Sequence, residues 1–297
     1  MAEHYSPLRY PGGKAKLASF VASVMRRNGH LHPEYVEPYA GGAGTALQLL
    51  FEEYADRIVI NDADPRVHAF WWSVTKRTSP FIDAIRATSV TVDEWHRQRE
   101  VYDKCDLRAR FRLGFATFFL NRTTRSGIIH NGGPIGGYDQ RGRYKIDARY
   151  NSEELIRRIS RIGTYSDRIG TSADDGLALL ENLAANRERA TDAFVYLDPP
   201  YYVKGRQLYM NHFTPRQHEE LAAFLQAGPA FSWILTYDKA PAIQRMYAGL
   251  HQLKLSLSYS ASQRRRGSEL LVHPPTVTIT ERDRLALQCG RGWRRPA

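Results

Sequence analysis

An α/β fold, with a mainly parallel sheet interrupted by a mostly helical insert, is predicted by three features of this 297-residue sequence. Short apolar runs of strand character, such as Ile58-Val59-Ile60 and Phe194-Val195-Tyr196-Leu197, alternate with stretches of helical period. A glycine cluster, Gly41-Gly42-Ala43-Gly44, stands between a strand and a helix, where a ligand can approach the backbone closely. Between residues 76 and 165 the alternation lapses, and the chain becomes helical and then rich in Gly and Arg.

The elements follow in order. Leu17, Phe20, Val21, Val24 and Met25 recur at helical spacing and predict a helix ending near Arg27. Tyr35 and Val36 form a short strand, and Ala46 to Tyr54 a helix. Ile58 to Ile60 is a buried strand closed by Asn61-Asp62, and Val67 to Val74 resumes as helix, completing one β-α-β unit. Helices are predicted at Asp93 to Lys104 and Ala109 to Leu120, followed by an irregular segment from Asn121 to Tyr150. Strands at Arg168 to Thr171, Ala193 to Leu197 and Ser232 to Thr236 then alternate with helices at Gly176 to Ala185, Pro215 to Ala227 and Pro241 to Tyr247. Late strands fall at Gln252 to Ser258 and Glu269 to Val272. Residues 1–75 and 166–297 therefore read as one domain, and 76–165 as the insert.

The bulk properties exclude several classes. Apolar residues make up 42% of the chain, which suits a buried core rather than disorder. The formal net charge of +11 favours polyanionic partners. Cys105 and Cys289 stand alone, without the spacing of a disulfide framework or a zinc site, so no metal is expected. The first residues carry no basic and apolar leader, and no apolar run reaches membrane-spanning length. A soluble, cytoplasmic protein without a membrane partner is the expectation.

The chemistry is concentrated in Asp198-Pro199-Pro200-Tyr201, which the strand ending at Leu197 delivers to the C-terminal edge of the sheet, where α/β folds bind ligands. An exocyclic amine on an aromatic ring is a poor nucleophile, because its lone pair is delocalised. Two acceptors aimed at its protons, the Asp198 carboxylate and the Pro199 carbonyl, favour tetrahedral geometry and stabilise the charge that develops during attack. The prolines stiffen the loop, and Tyr201 offers an aromatic face to an extruded base. An ordinary Asp-Pro turn would account for the tetrapeptide taken alone.

Two more segments weigh against that turn. Glu37-Pro38-Tyr39-Ala40-Gly41-Gly42-Ala43-Gly44 lies one unit before Asp62, whose carboxylate is placed to grip ribose hydroxyls. In Tyr10-Pro11-Gly12-Gly13-Lys14, the lysine is a candidate partner for a methionine carboxylate and Tyr10 for packing on a cofactor. Alone, Lys14 would read as a solvated residue in a first helical turn.

In this order the segments resemble the Dam-type, α-class adenine-specific DNA methyltransferases. The resemblance spans nearly the whole chain, including Phe118-Phe119-Leu120-Asn121-Arg122 at the start of the recognition region and Glu269-Leu270-Leu271-Val272 in the closing strand. It implies a Rossmann-like, S-adenosylmethionine-dependent methyltransferase sheet with a target-recognition insert, acting on the N6 amine of adenine in double-stranded DNA. It implies Tyr10, Lys14, Glu37, Gly41, Gly44, Asp62, Asp175 and Asp198 as cofactor contacts, with Asp174 competing with Asp175 for that role. Asp198, Pro199, Pro200 and Tyr201 form the catalytic loop, and a cognate restriction endonuclease is a partner that such enzymes can have.

Two features depart from the family pattern. The glycine spacing exceeds the short Gly-x-Gly of the best-known members, and the residues after Arg122 differ from those of members that modify GATC. Between Arg122 and Arg168 there are ten Arg or Lys against five Asp or Glu, an excess of five that suits a DNA-facing insert. Asn121, Arg122, Arg125 and Asn131 are the candidate DNA contacts; Arg157, Arg158 and Arg161 read as a solvated helix face. A second basic stretch, Arg264-Arg265-Arg266, is a candidate phosphate clamp. Cytosine in DNA, an RNA base or a protein glutamine are alternative acceptors, and a catalytically silent DNA-binding relative is an alternative of another class.

Overall fold

The computed structural model describes residues 5–10, 14, 17–130, 132–202, 213–258 and 266–283, with 256–258 and 266–268 as backbone. Among these residues, seven strands form one sheet in the order β3-β2-β1-β4-β5-β7-β6. They are β1 (Glu34–Glu37), β2 (Arg57–Asn61), β3 (Ile169–Ser172), β4 (Phe194–Leu197), β5 (Ser232–Asp238), β6 (His251–Ser258) and β7 (Arg266–His273). All run parallel except β7, which is antiparallel to both β5 and β6. This is the α/β sheet that the alternation predicts, with the order reversing between β1 and β4.

The flanking helices are α1 (Ala18–Arg27), α2 (Gly44–Phe51), α3 (Pro65–Lys76), α8 (Gly176–Ala185), α9 (Arg187–Asp192), α10 (Pro215–Gln226) and α11 (Pro241–Met246). Their starts follow from local chemistry. Asp64 accepts the amide of Arg66 at 2.9 Å ahead of Pro65 at the first helical position of α3. Thr214 and Gln217 form a reciprocal capping box on α10. The insert adds α4 (Thr78–Ala87), α5 (Val92–Lys104), α6 (Arg110–Thr123) and α7 (Ser152–Thr164). Helix α4 departs from the sequence expectation, since only Phe81 and Ile85 of its ten residues are buried and its apolar signal is short.

Strand alternation sorts the core into two faces. Tyr35, Ile58, Ile60, Phe194, Tyr196, Ile234 and Leu271 face α1, α2 and α3, and their cluster continues into the insert through Phe70, Phe81, Phe118 and Leu155. Val36, Val59, Val195, Leu197, Trp233, Leu235 and Val272 face α8, α10 and α11. The insert thus shares the first core. Phe70 of α3 stacks on Phe118 of α6, ring centres 6.0 Å apart and nearly parallel. Among the described residues no helix is long and apolar enough to cross a membrane.

Gly114 sets how closely α3 and α6 approach: a Cβ there would lie 2.4 Å from the Ala69 carbonyl oxygen and 2.5 Å from Ser73 Oγ. Gly114→Ala, a change that stabilises an exposed helix by up to about 1 kcal/mol, should here cost about 1–3 kcal/mol through overpacking. Urea denaturation checks the sign; an unchanged or raised midpoint would show that the two helices are free to separate.

Candidate active site

The same alternation that buries Tyr35 and Tyr196 brings Glu37 and Asp198, two residues further on, to the C-terminal edge of that face. Thr236 of β5 lies beside Asp198, and Glu269 of the reversed β7 pairs with Asp238. A row of polar side chains therefore crosses the middle of the sheet at one end.

Lys14 is the hub of that row. It is only 6% exposed, and its Nζ donates to Asp198 Oδ1 at 2.9 Å, Asp198 Oδ2 at 3.0 Å and the Tyr201 hydroxyl at 3.1 Å. Glu269 Oε1 lies 3.3 Å from the same ammonium and accepts the Tyr201 hydroxyl at 2.6 Å. Thr236 Oγ1 donates to Asp198 Oδ1 at 2.9 Å and is itself bonded to the Tyr196 hydroxyl. Burial pushes the Glu269 carboxyl up and Lys14 opposes it, while the negative charge of Asp198 adds to the rise. One ammonium thus joins two carboxylates and fixes the phenol between them. Lys14, expected to meet a cofactor carboxylate, is bonded to the Asp198-Pro199-Pro200-Tyr201 segment, and its carbonyl is anchored by Thr45 Oγ1 at 2.9 Å.

The glycine segment lies alongside. Gly41 has φ +48°, and a Cβ on it would meet the Tyr10 ring at 2.5 Å, so Tyr10 packs flush on that backbone. Ala43 adopts the left-handed conformation just before Gly44 opens α2. Glu37 turns beneath the loop: its Oε1 accepts the Ala46 amide and the Tyr35 hydroxyl, each at 3.0 Å, and burial pushes its carboxyl up to about 8. Asp62 accepts the Gly41 amide on Oδ2 and the Asp64 amide on Oδ1, both at 2.9 Å, and keeps partial exposure. Desolvation raises its carboxyl to about 7. Asp175 Oδ1 caps α8 through the amides of Leu177 and Ala178, whereas Asp174 is held by its main chain to Asn61. Asn61, fully buried, also bonds the Pro38 carbonyl and Ser172 Oγ and so stitches the ends of β1, β2 and β3 together.

The predicted DNA contacts divide. Arg125 is exposed on the loop after α6. Arg122 is half-buried, with Nε on the Arg149 carbonyl at 2.7 Å. Asn121 is 4% exposed and turned inward: its Oδ1 accepts the Arg9 amide at 2.6 Å and its Nδ2 donates to the Arg9 carbonyl at 2.8 Å. Asn131, Arg264, Arg265 and residues 11–13 lie outside the described residues, as does the side chain of Arg266. Arg158 and Arg161 differ from the solvated face expected of them. Arg158 reaches the Ser6 carbonyl, and the Arg161 guanidinium covers the rings of Tyr5 and Phe51.

Sequence reasoning treated Glu269 as strand and did not single out Thr236. The available signal was a carboxylate in the apolar run Glu269-Leu270-Leu271-Val272, where a buried charge needs a partner. Tyr138 and Tyr144, 56% and 57% exposed on the insert, were likewise not singled out.

Residues 10–260 match the family model of the D12 class N6 adenine-specific DNA methyltransferases, and the chain belongs to that family. A search of curated proteins returns no match.

Removing the ammonium should leave two carboxylates in apposition. Lys14→Met is expected to lose about 3 kcal/mol of stability at pH 8. The loss should shrink toward pH 5.5, because the folded protein then takes up a proton on the raised carboxyl. Denaturant titrations at both pH values test this; equal losses would mean that Lys14 does not balance the carboxylates.

Proposed function

We propose that the protein transfers a methyl group from S-adenosylmethionine to the N6 amine of one adenine, flipped out of double-stranded DNA at a specific sequence. Family membership gives the reaction class; the observation that carries the residue-level reading is the convergence of Asp198, Tyr201, Lys14 and Glu269 at one sheet edge.

The residues fit the cofactor. Asp62 uses one lone pair of each oxygen on a backbone amide, which leaves one on each for the two ribose hydroxyls. A carboxyl raised to about 7 is stabilised in its charged form when such donors arrive. Tyr10 on Gly41 forms a flat wall beside it, and the Trp71 indole holds the Gly41 carbonyl at 2.9 Å. Asp175 and Asp174 stand at the end of β3, on the adenine side of this reading. Glu37 supports the loop from below rather than from the ligand side.

S-adenosylmethionine supplies an electrophilic methyl on a sulfonium. Asp198 accepts one proton of the target amine on its oxygen Oδ2, the one that Thr236 leaves alone, and the Pro199 carbonyl accepts the other. Together they hold the nitrogen lone pair toward the methyl. Tyr201 has its ring plane set by the bonds of its hydroxyl to Lys14 and Glu269, which fixes the surface that meets the base. Glu269 adds negative charge beside Lys14 and so offsets the repulsion between that ammonium and the positive charge that develops on the amine. Arg122 and Arg125, with Asn131, serve the DNA side. A base inside a duplex is reachable only when extruded, and the edge position of the tetrapeptide suits a flipped one.

Two experiments test this reading. With methyl-labelled S-adenosylmethionine and unmethylated DNA, label should appear on adenine and vanish in a folded Asp198→Ala variant; label on cytosine, or none, would reject it. Cofactor affinity should also depend on Asp62 ionisation. Because the charged form accepts the hydroxyls, Kd should rise about tenfold as pH falls from 8 to 6. Asp62→Asn should bind more weakly with a flat profile. Titration calorimetry that shows the same slope in both proteins would remove Asp62 from the site.

A further inference from the structure

Four arginines meet where the N-terminal segment crosses the insert. Arg9 precedes Tyr10, Arg122 lies in the last turn of α6, Arg149 in the loop ahead of α7, and Arg158 in α7. Their placement is fixed by bonds to carbonyl oxygens: Arg122 Nε to Arg149 at 2.7 Å, Arg158 Nη1 to Ser6 at 2.9 Å and Arg9 Nη1 to Thr124 at 3.2 Å. Such bonds orient a guanidinium without neutralising it. Among the described residues, the carboxylate bonded to this group is Glu154, on Arg158 Nε at 2.9 Å, and Glu154 also serves Arg157.

The cluster is therefore positive by about three charges and partly buried. Arg9 and Arg122 are both shielded from water, and Arg122 feels Arg9, Arg158 and Arg149. Burial first, and then those neighbours, pull Arg122 down to about 10; burial and Arg149 lower Arg9 as well. Like charges at this density are a cost that a delocalised anion removes, and guanidinium forks match phosphate oxygens in pairs. Arg9, Arg122 and Arg158 are half-buried and Arg149 is exposed, so the cluster is open to one such group from solvent.

We propose that Arg9, Arg122, Arg149 and Arg158 cradle a single backbone phosphate of the DNA substrate. This rests on the DNA-methylating reading for the source of the phosphate. The seat also touches the cofactor side, because Arg9 is followed directly by Tyr10, which packs on Gly41, and its own main chain is clamped by Asn121. A phosphate there would fix the strand relative to Tyr10.

The test measures binding of a duplex oligonucleotide by fluorescence anisotropy across a salt series, with wild type, Arg149→Gln and the Arg122→Gln/Arg149→Gln double variant. Each loss should weaken DNA binding several-fold while cofactor affinity stays unchanged. The double variant should lower the log–log salt slope by about one, the loss of one phosphate contact. In a methylation-competent duplex scanned with neutral methylphosphonate linkages, one position should weaken wild type and leave the double variant unaffected. Wild-type binding with normal salt dependence, but the same slope in the double variant, would overturn the cradle and leave the methyltransferase reading intact. Methyl transfer to adenine in every protein, with no methylphosphonate position that distinguishes them, would overturn it as well. Wild type that binds no DNA at all would sink both.

Discussion

A buried ammonium between two carboxylates is the interaction on which the polar edge of the sheet depends. Asp198 and Glu269 come from strands separated by β5, and without a cation their charges would repel at an edge where water reaches only Asp198 in part. Lys14 resolves this and does more. By also donating to Tyr201, it ties the orientation of the aromatic ring to the pair of acids. The segment from Asp198 to Tyr201 is thereby held by a residue 184 positions away.

The sheet supplies the geometry that makes the clustering affordable in energetic terms. Alternation sends apolar residues to one layer and polar termini to the edge of the same face, so Tyr196 and Asp198 differ by one repeat. The reversal of β7 matters here, since it brings Glu269 into register with Asp238 while its neighbours Leu270 and Val272 complete the opposite core. On the other half of the sheet, buried Asn61 plays the corresponding part with uncharged bonds, holding three strand ends so that Asp62 projects beyond them.

Much of this was legible in the sequence. The runs at Ile58, Phe194 and Ser232 carry strand character in their residues, and glycine, proline and capping side chains mark helix ends where they occur. Asp198-Pro199-Pro200-Tyr201 was readable as a candidate because its four residues are contiguous. What escaped reading depends on distant partners. Lys14 gave no sign that Asp198 and Glu269 would claim it, and Asn121 reads as polar and exposed until Arg9 arrives from 112 residues away. Arg122 was legible as a candidate DNA contact, but its gathering with Arg149 and Arg158, of which Arg158 holds Glu154, is set by the fold. Helix α4 was missed for a simpler reason: two buried residues are too few to establish a period.

The paired bonds between Asn121 and the main chain of Arg9 divide the insert into two parts with different freedom to change. Up to Asn121, α6 is committed: its Gly114 admits no side chain, its phenylalanines fill the common core, and its final asparagine holds the N-terminal segment in place. From Ile135 to Lys145 the chain closes on itself, with Gln140 bonding the carbonyls of Ile135 and Gly137 and the amide of Ile146. It leans on the rest of the insert through the Ile135 amide on the Thr123 carbonyl and Tyr138 on Trp95 and His96, all away from the polar edge of the sheet. A change of those residues would therefore reshape the exposed surface around Tyr144 and leave the polar edge of the sheet as it is.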